Sequence, residues 1–254
     1  MDNKFHTTKS LSIVKTSIVF LVLIAIEICA INVYKVYFLQ HATDQTSYLF
    51  IGIVRLIDVG VIWGLLSIWR YRFAAIGLSR SNVKKGIVHG IYWSLSFAGL
   101  VGLVGVAFFL SGKNPLSFVR AGSRLGISFG TFFIKVLIGC FLGPIVEDTV
   151  FIGIIYNSFR KKIYFPVALI ISALLFAFCH DMSFFIHSIK VFSSLLGASS
   201  MNQLVVFVEQ FILRFFIQFV GGVLFALSFE YSHSLLSPMI IHTSGNCALF
   251  VLTL

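Results

Sequence analysis

Largely apolar stretches of about 20 residues recur along the whole chain, separated by short polar segments. That is the length a helix needs to cross a hydrocarbon core. The pattern predicts helices over roughly 11–39, 47–69, 86–110, 126–159, 163–180, 204–229 and 234–253. The fourth is longer than a span requires, and Gly143-Pro144 lies inside it. Proline removes a backbone hydrogen bond, so a kink or restart is expected there, with Glu147 in the first turn after the break and favoured by the amides exposed at a helix start. Residues 181–203 are less apolar and rich in Ser and Gly, which predicts a loop or shallow re-entrant piece able to gate access to a polar site. No internal repeat, low-complexity tract or soluble linker interrupts the series beyond the polar first ten residues. The expected fold is all-α: a polytopic transmembrane bundle of about seven helices, one integral membrane domain in which 1–125 supplies N-terminal helices and 126–254 the functional core.

Composition supports this assignment. Hydrophobic residues make up 58% of the chain and charged residues 11%, against about 25% charged in soluble domains. The first apolar stretch, from about Thr16 to Leu39, is too long for a signal peptide, contains Glu27 and lacks a small-residue cleavage site, so it reads as a retained helix. The net charge of +10 raises nucleic acid as a partner, but the distribution of the cations excludes it. Lys4, Lys9 and Lys15 precede or open the first helix; Arg70, Arg72, Arg80, Lys84 and Lys85 form one later cluster, and Arg160, Lys161 and Lys162 another. The opposite loops hold only Lys113, Arg120, Arg124 and Lys190. This is the positive-inside pattern of a multi-pass cell-membrane protein with a cytoplasmic N-terminus and the lipid bilayer as its surroundings. The four cysteines lie in apolar runs without metal-knuckle or disulfide spacing.

Three polar groupings stand out inside the apolar segments: Glu147-Asp148, Phe176 with His180, and His242 with Asn246. An ionisable group in hydrocarbon costs several kcal/mol unless it is paired or faces a cavity, so three in separate helices point to one shared pocket. Helix rise places them at compatible depths, about 20 Å in for Glu147, 25 Å for His180, 18 Å for Asn246 and 12 Å for His242. The i,i+4 spacing of Phe176/His180 and of His242/Asn246 puts each pair on one helix face.

Two chemistries remain open for this set. Glu147 and His180 can deprotonate a water while His242 and Asn246 donate hydrogen bonds to a developing oxyanion. Alternatively, Glu147, His180 and His242 can ligate a divalent metal such as zinc that activates the water.

The segments Glu147-Asp148-Thr149-Val150-Phe151-Ile152-Gly153, Phe176 to His180 and His242 to Asn246, with Ser234 to Pro238 before the last, resemble the ordered motifs of the CAAX protease and bacteriocin-processing (CPBP) family of intramembrane proteases. The family pattern is Glu-Glu-x-x-x-Arg, then Phe-x-x-x-His, then His-x-x-x-Asn, and the similarity covers about residues 130–250. The resemblance implies an endopeptidase in which Glu147 and His180 activate water and His242 and Asn246 stabilise the oxyanion, with Asp148 as the second acid. Eukaryotic members cleave the C-terminal tripeptide of prenylated proteins; bacterial members, which this membrane-only chain resembles more, are associated with bacteriocin processing and self-immunity. The implied partner is a membrane-associated peptide or protein. Asp148 stands where the family has glutamate, and Ile152 where it has arginine, which removes a counter-ion for the buried acids. The competing reading is a non-catalytic immunity or scaffold protein that binds a toxin, receptor or sensor through the same cavity; a transporter ranks below both.

Arg55 and Asp58, three apart, are expected to form a structural intrahelical pair. Glu27, Lys135, Glu209 and Arg214 read as packing or interfacial groups, with Lys135 or Arg214 as candidates for the charge missing at 152. Asp181 is a candidate for orienting His180.

Overall fold

A computed structural model of the chain describes residues 11–37, 43–112, 129–195 and 201–252. Among the described residues the regular structure is helical throughout, with no strand. Seven long helices follow one another: α1 (Ile13–Tyr37), α2 (Asp44–Ile68), α3 (Val83–Leu110), α4 (Phe129–Arg160), α5 (Phe165–Leu195), α6 (Met201–Ser232) and α7 (Leu236–Leu252). The stretches Ile13–Tyr37, Gln45–Ile68, Phe129–Arg160 and Phe215–Ser232 are each long and apolar enough to cross a membrane. Large apolar side chains point outward along them, among them Leu21, Leu56 and Phe129, as a surface solvated by lipid requires. The chain is a multi-pass membrane protein.

α4 is the axis of the bundle. Every residue from Thr149 to Tyr156 is buried, as expected of a helix that is apolar on all sides. α5 runs along α6, and α3 along α7, with α2 and α7 flanking the middle of α4. Between α2 and α3 the chain makes two short 3₁₀ turns, Phe73–Ile76 and Arg80–Asn82. These are tied beneath the bundle by Asn157 Nδ2 donating to the Ala75 carbonyl (2.7 Å), Leu235 N–H to the Gly77 carbonyl (3.0 Å) and Asn82 Nδ2 to the His233 carbonyl (3.0 Å).

Two expectations are corrected. α5 continues as helix through Leu195 rather than ending at His180 in a loop. Residues 181–195 contain no Gly or Pro, and their serines alone do not end a helix; the one Gly of the region, Gly197, lies beyond them. The side chains of Asp181, Lys190, Glu209 and Arg214 lie outside the described residues, as do Lys113, Arg120 and Arg124. Nor does Gly143-Pro144 break α4: Gly143 keeps right-handed helical geometry (φ −55°, ψ −60°), and the helix instead widens into a π-helical stretch, Val136–Leu142, just before the proline. A second π-helical stretch, Thr149–Tyr156, follows the six-residue α segment Gly143–Asp148 that carries both acids. Glu147 therefore does not sit at a free helix start.

The α5–α6 contact depends on small residues. A Cβ on Gly222 would lie 2.9 Å from Ala173 Cα and 3.4 Å from Phe176 Cβ, and a backbone atom cannot yield. Gly222→Val is expected to cost about 1–3 kcal/mol through overpacking and to displace Phe176, which a lowered melting temperature in nanodiscs checks; an unchanged melting temperature contradicts the close contact.

Candidate active site

Glu147 and Asp148 project from the α segment of α4, His180 from α5, and His242 and Asn246 from α7. Glu147 Oε2 lies 3.1 Å from His180 Nε2 and 3.7 Å from His242 Nε2, and Asp148 Oδ1 lies 3.3 Å from His242 Nδ1. The structure thus gathers four of the five sequence-nominated residues into one cluster. The two imidazoles are each anchored through Nδ1. His180 Nδ1 donates to the Phe176 carbonyl at 2.9 Å; a carbonyl can only accept, so Nδ1 carries the proton and Nε2 faces the site. A neutral Nε2 and a carboxylate oxygen 3.1 Å apart would oppose lone pair to lone pair, so one proton is shared between His180 and Glu147. His242 is held by Asp148, a carboxylate–histidine pair that fixes the ring orientation.

Aromatic rings wall the cluster on its apolar side. Phe225 stacks on His242 (centroids 4.6 Å, interplanar angle 22°), and Phe176 lies 4.1 Å from His180 and 5.7 Å from His242 while meeting Phe151 and Phe225 edge-on. Exposure rises across the site, from 0% for the Asp148 side chain through 8% for His242 and 18% for Glu147 to 23% for His180. Asp148 is enclosed, with its Oδ2 making no hydrogen bond among the described residues, and the site opens on the His180 side.

Asn246 is held differently. Its Nδ2 donates to the Gly139 carbonyl at 3.0 Å, inside the first π-helical stretch. There the Gly143 N–H reaches back five residues to the Ile138 carbonyl. The next rung of that ladder would run from residue 144 to the Gly139 carbonyl, but residue 144 is proline and has no N–H to give. Asn246 supplies the missing donor, leaving one amide hydrogen for other use.

Sequence reasoning assigned Arg55 only a structural pairing, and that pairing exists: Arg55 Nη1 meets Asp58 Oδ2 at 3.1 Å. The same nitrogen also bonds Glu27 of α1, and Arg55 Nη2 reaches Glu147 Oε1 at 3.8 Å. The sign available in advance was that Glu27, Arg55 and Asp58 are charges within spanning segments and need partners there. Lys135 does not take this position. It stands 12 residues before Glu147, about 18 Å along a helix, with its ammonium 5.0 Å over the Tyr48 ring. Ile152 is 0% exposed within the apolar core.

Glu147, His180 and His242 each offer one ligand atom within 4.8 Å of the others, and both Nε2 atoms have their opposite ring nitrogens engaged, as metal-binding histidines do. The donor set therefore fits a divalent cation.

Asn246→Ala would leave the partly buried Gly139 carbonyl without its side-chain donor. The expected cost is about 1–3 kcal/mol, read as a lowered melting temperature, with Asn246→Asp no better because a carboxylate cannot donate. Unchanged stability in Asn246→Ala would refute the linkage to Pro144.

Residues 129–248 match a family model described as Type II CAAX prenyl endopeptidase Rce1-like. No curated protein and no solved structure matches the chain. The matched segment starts with α4 and contains Glu147, Asp148, His180, His242 and Asn246, whereas Glu27, Arg55 and Asp58 precede it. The segment 129–248 is thus similar to the Rce1-like family, in agreement with the CPBP resemblance of its three ordered motifs.

Proposed function

We propose that the protein is an intramembrane endopeptidase that hydrolyses a peptide bond in a membrane-delivered peptide or protein. The observation that carries this reading is Glu147 Oε2 lying between His180 Nε2 at 3.1 Å and His242 Nε2 at 3.7 Å. A water hydrogen-bonded to the Glu147 carboxylate beside His180 loses its proton to that carboxylate as its oxygen attacks the carbonyl carbon, the proton already shared with His180 lying on the imidazole. His242, held by Asp148 and doubly protonated, donates Nε2–H to the oxyanion, and the second amide hydrogen of Asn246 supports it. The proton held by Glu147 and His180 then passes to the departing amine. Substrate approaches from the more open His180 side, while the Phe176 and Phe225 rings keep bulk water away from the opposite side.

The N-terminus and the clusters at Arg70–Lys85 and Arg160–Lys162 would face the cytoplasm of the cell membrane. The substrate is a peptide reaching the site within the bilayer; bacteriocin processing or self-immunity is the role implied by likeness to bacterial members, and CAAX prenyl endopeptidase is the activity named by the family description. A second reading has support from one observation. The Glu147, His180 and His242 donors lie within 4.8 Å of one another and are able to hold a divalent cation such as zinc, which would supply Lewis-acid activation of the water.

The deciding experiment is cleavage of a library of membrane-anchored peptides by the purified protein in nanodiscs, alongside Glu147→Gln and His180→Ala. Each variant is expected to lose about 10²–10⁴-fold in rate while still accumulating in the membrane. Product from the native chain that survives a chelator assigns the water to Glu147 and His180 alone; product lost on chelation and restored by zinc assigns it to a metal. No product, with both variants still protective in cells, moves the protein to a non-catalytic immunity or scaffold role.

A further inference from the structure

We propose that Arg55 of α2 takes over the place of the arginine that the family motif carries and this chain replaces with Ile152, acting as the positioning cation for Glu147. The inference rests on the endopeptidase reading and adds a residue from outside the matched segment.

The two carboxylate oxygens of Glu147 have separate partners: Oε2 faces the imidazoles, and Oε1 faces Arg55 Nη2 at 3.8 Å. The guanidinium is divided in the same way. Its Nη1 is held by Glu27 and by Asp58 Oδ2, so α1 and α2 together clamp one nitrogen and aim the other at the site. A structural pair on α2 needs only Asp58. Three acids from three helices around a single guanidinium form a relay that fixes where the charge points, and the planar fork of arginine suits several carboxylates at once. A buried acid left unpaired costs far more than the pair is worth, so Asp58, 1% exposed, persists where Arg55 has to be held.

The backbone makes this reach possible. One turn before Arg55, Gly52 lies against Ile138 of α4, and a Cβ there would come within 2.7 Å of Ile138 Cδ1, so α2 crosses α4 closely enough to bring the guanidinium to Glu147. The motif position itself cannot serve, because Ile152 is wholly enclosed by apolar side chains. With Oε1 held, the carboxylate cannot rotate freely, and Oε2 stays directed at His180 and the water.

The test combines kinetics with a stability cycle that does not depend on activity. In nanodiscs, Arg55→Gln is expected to lower kcat about 10²-fold, the scale on which misplacement of a reacting group acts, with KM little changed. Arg55→Lys keeps the charge without the fork and should fall between the two. The melting-temperature loss caused by Arg55→Gln should shrink by more than half when Glu147 is already Gln, whereas a cycle between Arg55→Gln and Ser172→Ala should be additive. An unchanged kcat in Arg55→Gln, or losses that simply add with Glu147→Gln, overturns the proposal. If the native chain cleaves nothing yet Arg55 and Glu147 remain coupled, the pairing stands and the endopeptidase reading falls. Should Arg55→Gln fail to accumulate, the same cycle run with Arg55→Lys decides the pairing.

Discussion

The arrangement of this bundle follows from the cost of keeping Glu147 charged inside it. A lone carboxylate at membrane depth would be heavily penalised, and each neighbouring helix contributes something that offsets the penalty: His180 from α5, His242 from α7 and Arg55 from α2. Asp148 adds a second charge at 0% exposure and is matched to His242. The five groups are mutually dependent, because the imidazoles are oriented through Nδ1 while their Nε2 atoms converge on a single oxygen. Removing any one leaves a buried charge or an unbonded ring behind, which is why the site constrains the positions of four helices at once.

Reaching that arrangement requires α4 to depart from ideal geometry twice. Side chains of neighbouring helices bond one carbonyl inside each π-helical stretch, before and after Gly143–Asp148. Asn246 takes the Gly139 carbonyl and Ser172 the Phe151 carbonyl, at 3.0 and 2.7 Å. In lipid there is no water to satisfy such groups, so irregular backbone persists only where protein donors stand ready. The consequence is mechanical: α7 and α5, which carry the histidines, are fastened to α4 on either side of the acids. π-helical turns recur at functional sites, and here they add cross-links between the helices that form the cluster.

The helical class, the seven segments and the convergence of Glu147, Asp148, His180 and His242 were legible in the sequence, because each rests on length, spacing and the expense of polar groups in hydrocarbon. The departures were illegible for physical reasons. Every residue of Thr149–Tyr156 is buried, so no polar face reports the helical period there, and a widened turn leaves no trace in the pattern. Pro144 signalled that a hydrogen bond would be missing, but not that Asn246, 102 positions later, would replace it. The Arg55–Asp58 pair was legible from its i,i+3 spacing; that Arg55 also faces Glu147 depends on how closely α2 crosses α4, which no local spacing encodes.

A boundary between N-terminal helices and a functional core near residue 125 divides the chain by motif content but cuts through the electrostatics. The matched segment 129–248 holds Glu147, Asp148, His180, His242 and Asn246, yet the cation facing Glu147 and the acids that hold that cation lie on α1 and α2. If the arginine of the motif is a charge that the site requires, then a change to isoleucine is tolerable only where another helix supplies that charge at nearly the same point. Coulomb attraction at a given distance is stronger in a medium of low dielectric, so the supplier need not occupy the motif position; it needs only to reach the same carboxylate. Arg55 meets that condition from a helix the motifs do not include. The N-terminal helices thus belong to the chemistry of the site as well as to its membrane setting.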